Sequence, residues 1–114
     1  LMTGRIISAR EALEFGIVSH VWPDAEFMAK VREMALDIAR NTAPVSVAIT
    51  KRLLYALLAE PETEKAQAVD TKAFVWSGKQ PDSYEGVSAF VEKRKPSWKM
   101  KPSKDIPEFI PAIK

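Results

Sequence analysis

The sequence predicts a mainly α-helical chain. Apolar residues recur at spacings of three and four through most segments, capping-type signals stand at helix starts, and only one short run is β-branched. The elements expected are five helices, the first short, and a single extended segment.

Ser8-Ala9-Arg10-Glu11 opens the first helix as a capping box, the Ser8 oxygen and Glu11 carboxylate each satisfying a backbone amide of the other. Gly16 ends it, since glycine accepts the left-handed conformation of a helix stop. Ile17-Val18-Ser19-His20-Val21-Trp22 reads as a short strand or extended segment, closed by Pro23. Asp24 is the expected N-cap of the second helix, whose apolar face is Phe27, Val31, Met34, Ala35 and Ile38. Asn41-Thr42 breaks that pattern, and Pro44 sits in the first turn of the third helix, where its missing N–H costs nothing. Val45, Ala48, Ile49, Leu53, Leu54, Leu57 and Leu58 are apolar on several sides, as expected of a central helix or one buried between subunits.

Glu60-Pro61-Glu62 is a turn that places acids at the start of the fourth helix, where the dipole favours them. That helix carries Ala66, Val69, Ala73 and Trp76 on one stripe, with Phe74 beside it. Residues 77–81 form a loop. Asp82 to Glu85 resembles a second capping box, and the fifth helix is expected to run to about Lys95, before Pro96. Pro96, Pro102, Pro107 and Pro111 predict an extended tail with no regular element. The organisation expected is residues 1–23 as a short helix and extended segment, 24–95 as a helical region, and 96–114 as a proline- and lysine-rich tail.

With 114 residues, 46% of them hydrophobic, the chain can form one small globular core. It has no cysteine, which excludes disulfides, iron–sulfur clusters and thiol catalysis. No apolar run is long enough to span a bilayer, so a cytoplasmic protein without a membrane partner is expected. The chain begins at Leu1 and enters patterned sequence at Thr3-Gly4 with no leader, which reads as a piece of something longer. Net charge is only +2, yet residues 89–104 alone carry +5, through Lys93, Arg94, Lys95, Lys99, Lys101 and Lys104 against Glu92. A solvated tail explains many of these lysines. A nucleic-acid-binding reading rests on the same tail and on nothing else.

Little in the chain suggests catalysis. His20 is the single histidine, and no serine or acidic partner stands at a recognisable spacing. No carboxylate pattern supports a metal site, and no glycine cluster forms a phosphate cradle. The acids at 60, 62 and 64 are explained by the helix dipole, and Asp82 and Glu85 by capping. Phe90 and Lys93, three apart on the expected fifth helix, could instead present a ring and a positive charge to one ligand.

Thr3-Gly4-Arg5, Ala9-Arg10-Glu11-Ala12, Gly16-Ile17-Val18, Ala43-Pro44 with Lys51, Glu85-Gly86, Ala89-Phe90 and the run Glu92 to Pro96 follow one another in a specific order. In that order and spacing, residues 1–98 resemble the C-terminal part of the crotonase (enoyl-CoA hydratase/isomerase) superfamily; the tail from Lys99 is less typical. The resemblance implies the C-terminal helical region of a crotonase-type α/β fold, with the N-terminal β/α core absent from this chain. It implies an acyl-CoA thioester as substrate, hydration of 2-enoyl-CoA foremost, and no further cofactor. The family's oxyanion hole and glutamate pair belong to the N-terminal core, so no catalytic residue is expected here. It also implies a homo-oligomer, a trimer or hexamer, in which the last helix reaches a neighbouring subunit's coenzyme A site, with Phe90 beside the adenine and Lys93 near the phosphates. The alternative is a non-catalytic helical oligomerisation module.

Overall fold

The computed structural model describes residues 4–112, so Thr3 of the threonine–glycine step lies outside the described residues. It contains α1 (Ala9–Glu14), α2 (Asp24–Asn41), α3 (Pro44–Leu57), α4 (Thr63–Gly78) and α5 (Pro81–Val91). No strand forms among the described residues. The β-branched run at 17–22 therefore stays irregular. Ile17 and Val18 instead donate their amides to the Ala12 carbonyl, at 2.9 and 3.3 Å. A strand needs a neighbouring strand to satisfy its backbone, and this run has none. The chain divides into two compact units, Leu1–Leu36 and Asp37–Lys114.

In the first unit, α1 is built from local signals. The Ser8–Glu11 capping box is formed on both sides, and Arg5 pairs with Glu11 at 2.8 Å. The helix stops on a Schellman motif. Gly16 takes a φ of 68°, its amide donates to Leu13, and the Ile17 amide donates to Ala12. Asp24 is the first residue of α2 rather than its cap; the Pro23 carbonyl accepts from the Phe27 amide and starts the helix. Neither α1 nor α2 buries a residue, and Phe27, Met28 and Val31 stay exposed.

In the second unit, Ala43 is extended and Pro44 occupies the first turn of α3, as expected. Val45, Ile49 and Leu53 project from one stripe of α3, meet Ala73 of α4, and are closed over by Ile110. Val69 and Trp76 of α4 pack on this cluster, in line with the expected stripe. So do Met100, Ile106 and Phe109. The tail is irregular, as its prolines require, but it is part of the core rather than a solvated end. Lys72 lies over the Phe109 ring at 4.4 Å, adding a cation–π contact. Leu54, on another side of α3, and Leu58, at its C-cap, remain exposed.

Both ends of α5 depart from expectation. The capping box at Asp82–Glu85 does not form. Gln80 is the N-cap position, Pro81 begins the helix, and Asp82 lies in the first turn at 5% exposure. Its carboxylate accepts from the amides of Lys99, at 2.8 Å, and Met100, at 3.3 Å, so it anchors the tail instead of the helix. At the other end, α5 stops at Val91 rather than near Lys95. Lys93 adopts a φ of 52°, the one positive φ at a non-glycine residue among those described.

Candidate functional site

The stop of α5 repeats that of α1 with a different residue at its turning point. The Lys93 amide donates to Phe90 at 3.3 Å, and the Arg94 amide to Ala89 at 3.0 Å. These are the two bonds of a Schellman motif, with lysine where α1 has Gly16. The left-handed conformation costs a side-chain-bearing residue about 1 kcal/mol or more. Lys93 is thus past the helix, and the expected helical neighbourhood of Phe90 and Lys93 becomes a helix-end one. Phe90, in the last turn, is 85% exposed, so it is not a core residue of this chain.

Glu85 fastens the segment that follows. Arg94 donates to both of its oxygens, at 2.6 and 3.0 Å, and the Ser97 amide donates to Oε1 at 2.6 Å. Arg94 also donates to Glu92 at 2.6 Å. The bidentate Arg94, and next the Ser97 amide, hold the Glu85 carboxyl down at about 2. The same carboxylates push Arg94 further above its usual range. The turn at 92–97 is thereby tied through Arg94 and Ser97 to one carboxylate of α5. Trp98 completes it by lying against Gly86, where an added Cβ would stand 3.6 Å from the indole.

Two apolar surfaces are exposed in the second unit, one of them on the helix that leads into the turn. Tyr84, Val87, Phe90 and Val91 make the outer face of α5 exposed and largely apolar. Between α3 and α4 lies a groove of about 920 Å³ whose apolar lining includes Leu54, Leu58, Ala66 and Phe74. Asp70 and Gln67 also border the groove.

Sequence reasoning singled out Phe90 and Lys93 and missed Glu85, Arg94 and Trp98 as the residues that shape their setting. The available signal was an acid followed nine residues later by an arginine across a helix stop. His20 stacks on Trp22, with centroids 4.9 Å apart, and bonds with the neighbouring Ser19 hydroxyl at 3.2 Å. Among the described residues no group of acids and histidines could hold a metal ion. No helix among them is long and apolar enough to cross a membrane.

Phe90 thus stands exposed beside the basic run Lys93, Arg94 and Lys95 that follows the end of α5. A sequence profile of the enoyl-CoA hydratase/isomerase family matches residues 1–101, and the chain belongs to that family, within the crotonase superfamily. The chain is similar to a carnitinyl-CoA dehydratase of Salmonella typhi, 37% identical over 102 residues, covering 87% of this chain and 39% of that one. Its fold is similar to a probable enoyl-CoA hydratase/isomerase of Mycobacterium abscessus, with TM-score 0.83, 33% identity, and coverage of 89% of this chain and 40% of the other. The enoyl-CoA hydratase structure from Geobacillus kaustophilus HTA426 gives a TM-score of 0.72 at 36% identity, covering 86% of this chain and 36% of that one. The chain thus spans well under half the length of these relatives.

Proposed function

We propose that the chain is the C-terminal segment of an enoyl-CoA hydratase or isomerase acting on acyl-CoA thioesters, hydration of 2-enoyl-CoA foremost. In this reading it contributes trimer assembly and a coenzyme A contact to a neighbouring subunit, while the oxyanion hole and acid–base groups come from the family's β/α core. The observation that carries it is the exposed Phe90 ring at the fixed, basic end of α5. A flat ring suits a purine face, and an ammonium suits phosphate. Lys93 and Lys95 form no ion pair with another described residue, because Arg94 engages both Glu85 and Glu92. Their charge is available to an anion.

The reading expects no hydration of crotonyl-CoA by the purified 114-residue chain. Turnover above the uncatalysed rate would overturn it. It also expects coenzyme A to bind and Phe90→Ala to weaken that binding.

The assembly reading has its own support. The outer face of α5 and the α3–α4 groove expose apolar surface of the kind that marks association. Self-association in light scattering is expected, and a monomer across a wide concentration range would count against it. Coenzyme A binding separates the two: assembly alone predicts no effect of coenzyme A on the chain.

A further inference from the structure

We infer that Glu85 is a positioning residue for the ligand-facing lysine: its carboxylate holds the 92–97 turn so that Lys93 keeps its left-handed backbone and its charge stays unpaired. The inference rests on the proposal that Phe90 and Lys93 meet coenzyme A.

The chain contains its own control. Two helices end on the same pair of Schellman bonds. At α1 the turning residue is Gly16, with a φ of 68°, for which this conformation is unstrained. At α5 it is Lys93, which has a Cβ and is strained there. Glycine would serve the turn better, so the lysine is explained by its side chain rather than by the backbone.

Something must then hold the strained turn, and the bonds beyond it converge on one group. Glu85 takes two bonds from the Arg94 side chain and one from the Ser97 amide, which fixes the residues on the C-terminal side of Lys93. No comparable clamp is needed after Gly16. The same arrangement decides the electrostatics. Glu92 is the sequence neighbour of Lys93 and the nearest candidate to neutralise it, but it accepts from Arg94 at 2.6 Å. Arg94, with its fork of donors, makes a bidentate pair with Glu85 and still bonds Glu92, a geometry a lysine ammonium does not offer. Loss of Glu85 frees Arg94 and Ser97, lets the turn relax, and leaves Lys93 without a fixed position.

The test is coenzyme A binding by titration calorimetry to the full chain at low salt, comparing wild type, Lys93→Ala, Glu85→Gln and the double variant. Lys93→Ala is expected to weaken binding about fivefold to tenfold, the worth of one charge-assisted contact. Glu85→Gln is expected to weaken it by a similar factor, and the double variant no further than Lys93→Ala alone, because both act through one ammonium. A residue that merely supported the fold would give losses that multiply. Wild-type affinity in Glu85→Gln, or multiplying losses, overturns the positioning role alone. Wild-type affinity in Lys93→Ala overturns the coenzyme A reading beneath it. If Glu85→Gln does not fold by circular dichroism, Arg94→Lys replaces it. That change keeps the charge but removes the bidentate pair, and the same outcomes decide.

Discussion

Trp98 donates its indole N–H to the carbonyl of Arg40 at 3.2 Å, so a residue of the tail satisfies one of the orphan carbonyls in the last turn of α2. The same indole lies against Gly86 of α5. One side chain therefore links the end of α2, the middle of α5 and the start of the tail.

Trp98→Phe keeps a ring against Gly86 and removes only the donor. The expected loss is about 0.5–1 kcal/mol, since the bond is partly open to water. Urea unfolding monitored by circular dichroism measures it, and an unchanged midpoint would show that water replaces the indole.

Gly86 lies in a helix, where glycine is a weak choice, and an alanine Cβ would meet the indole at an ordinary contact distance of 3.6 Å. Gly86→Ala is therefore expected to stabilise the chain by about 0.5–1 kcal/mol. Gly86→Leu should do the opposite by displacing Trp98. A rise in midpoint with leucine would mean that the indole is not confined there.

Asp82→Ala removes the buried acceptor of the Lys99 and Met100 amides. Leaving those donors unpaired costs about 1–3 kcal/mol, and it loosens the segment that delivers Ile110. Faster proteolytic cleavage after Trp98 is expected, with Asp82→Asn intermediate because its amide oxygen can still accept. Equal cleavage rates in all three proteins would refute the anchoring role.

The Glu85 carboxyl titrates at about 2 in the fold against an ordinary value of 4.5. A depressed carboxyl stabilises the fold while it is ionised. Its contribution is complete above pH 4.5 and is lost as the pH falls from there towards 2. Denaturation midpoints should drop across that window in the wild type and drop less in Glu85→Gln. Glu11 is also lowered, first by the Ser8 amide and then by Arg5, so the variant curve flattens without becoming level.

Lys93→Gly relieves the strained turn. A stability gain of about 0.5–1 kcal/mol is expected, together with weaker coenzyme A binding. Opposite signs in the unfolding midpoint and the affinity would be the mark of a residue kept for its ligand; parallel losses would contradict it.

The parts of the fold legible in the sequence are those whose two halves lie close together in the chain. Ser8 and Glu11 are three residues apart, and Gly16 stands where the stripe of α1 ends, so that helix could be read whole. The stripe through Val69, Ala73 and Trp76 was legible for the same reason. Asp82 looked like a cap because its true partners, the amides of Lys99 and Met100, lie far along the chain. Lys93 looked helical because lysine seldom takes a positive φ, and the Glu85–Arg94 pair beyond the turn bridges residues nine apart across the helix stop. The tail looked solvated because prolines and lysines dominate it. Ile106, Phe109 and Ile110, spaced at three and one, were the signal that it buries something.

The closing of the α3–α4 cluster by Ile110 sets an order of events in folding. α3 and α4 are sequential and can pair early, since little chain entropy is lost in joining them. Ile110 must return across the whole of α4 and α5 to reach Val45 and Ile49, and such distant contacts form slowly. The tail should therefore lock last and release first, with the helices passing through a stage in which they are formed but still uncovered.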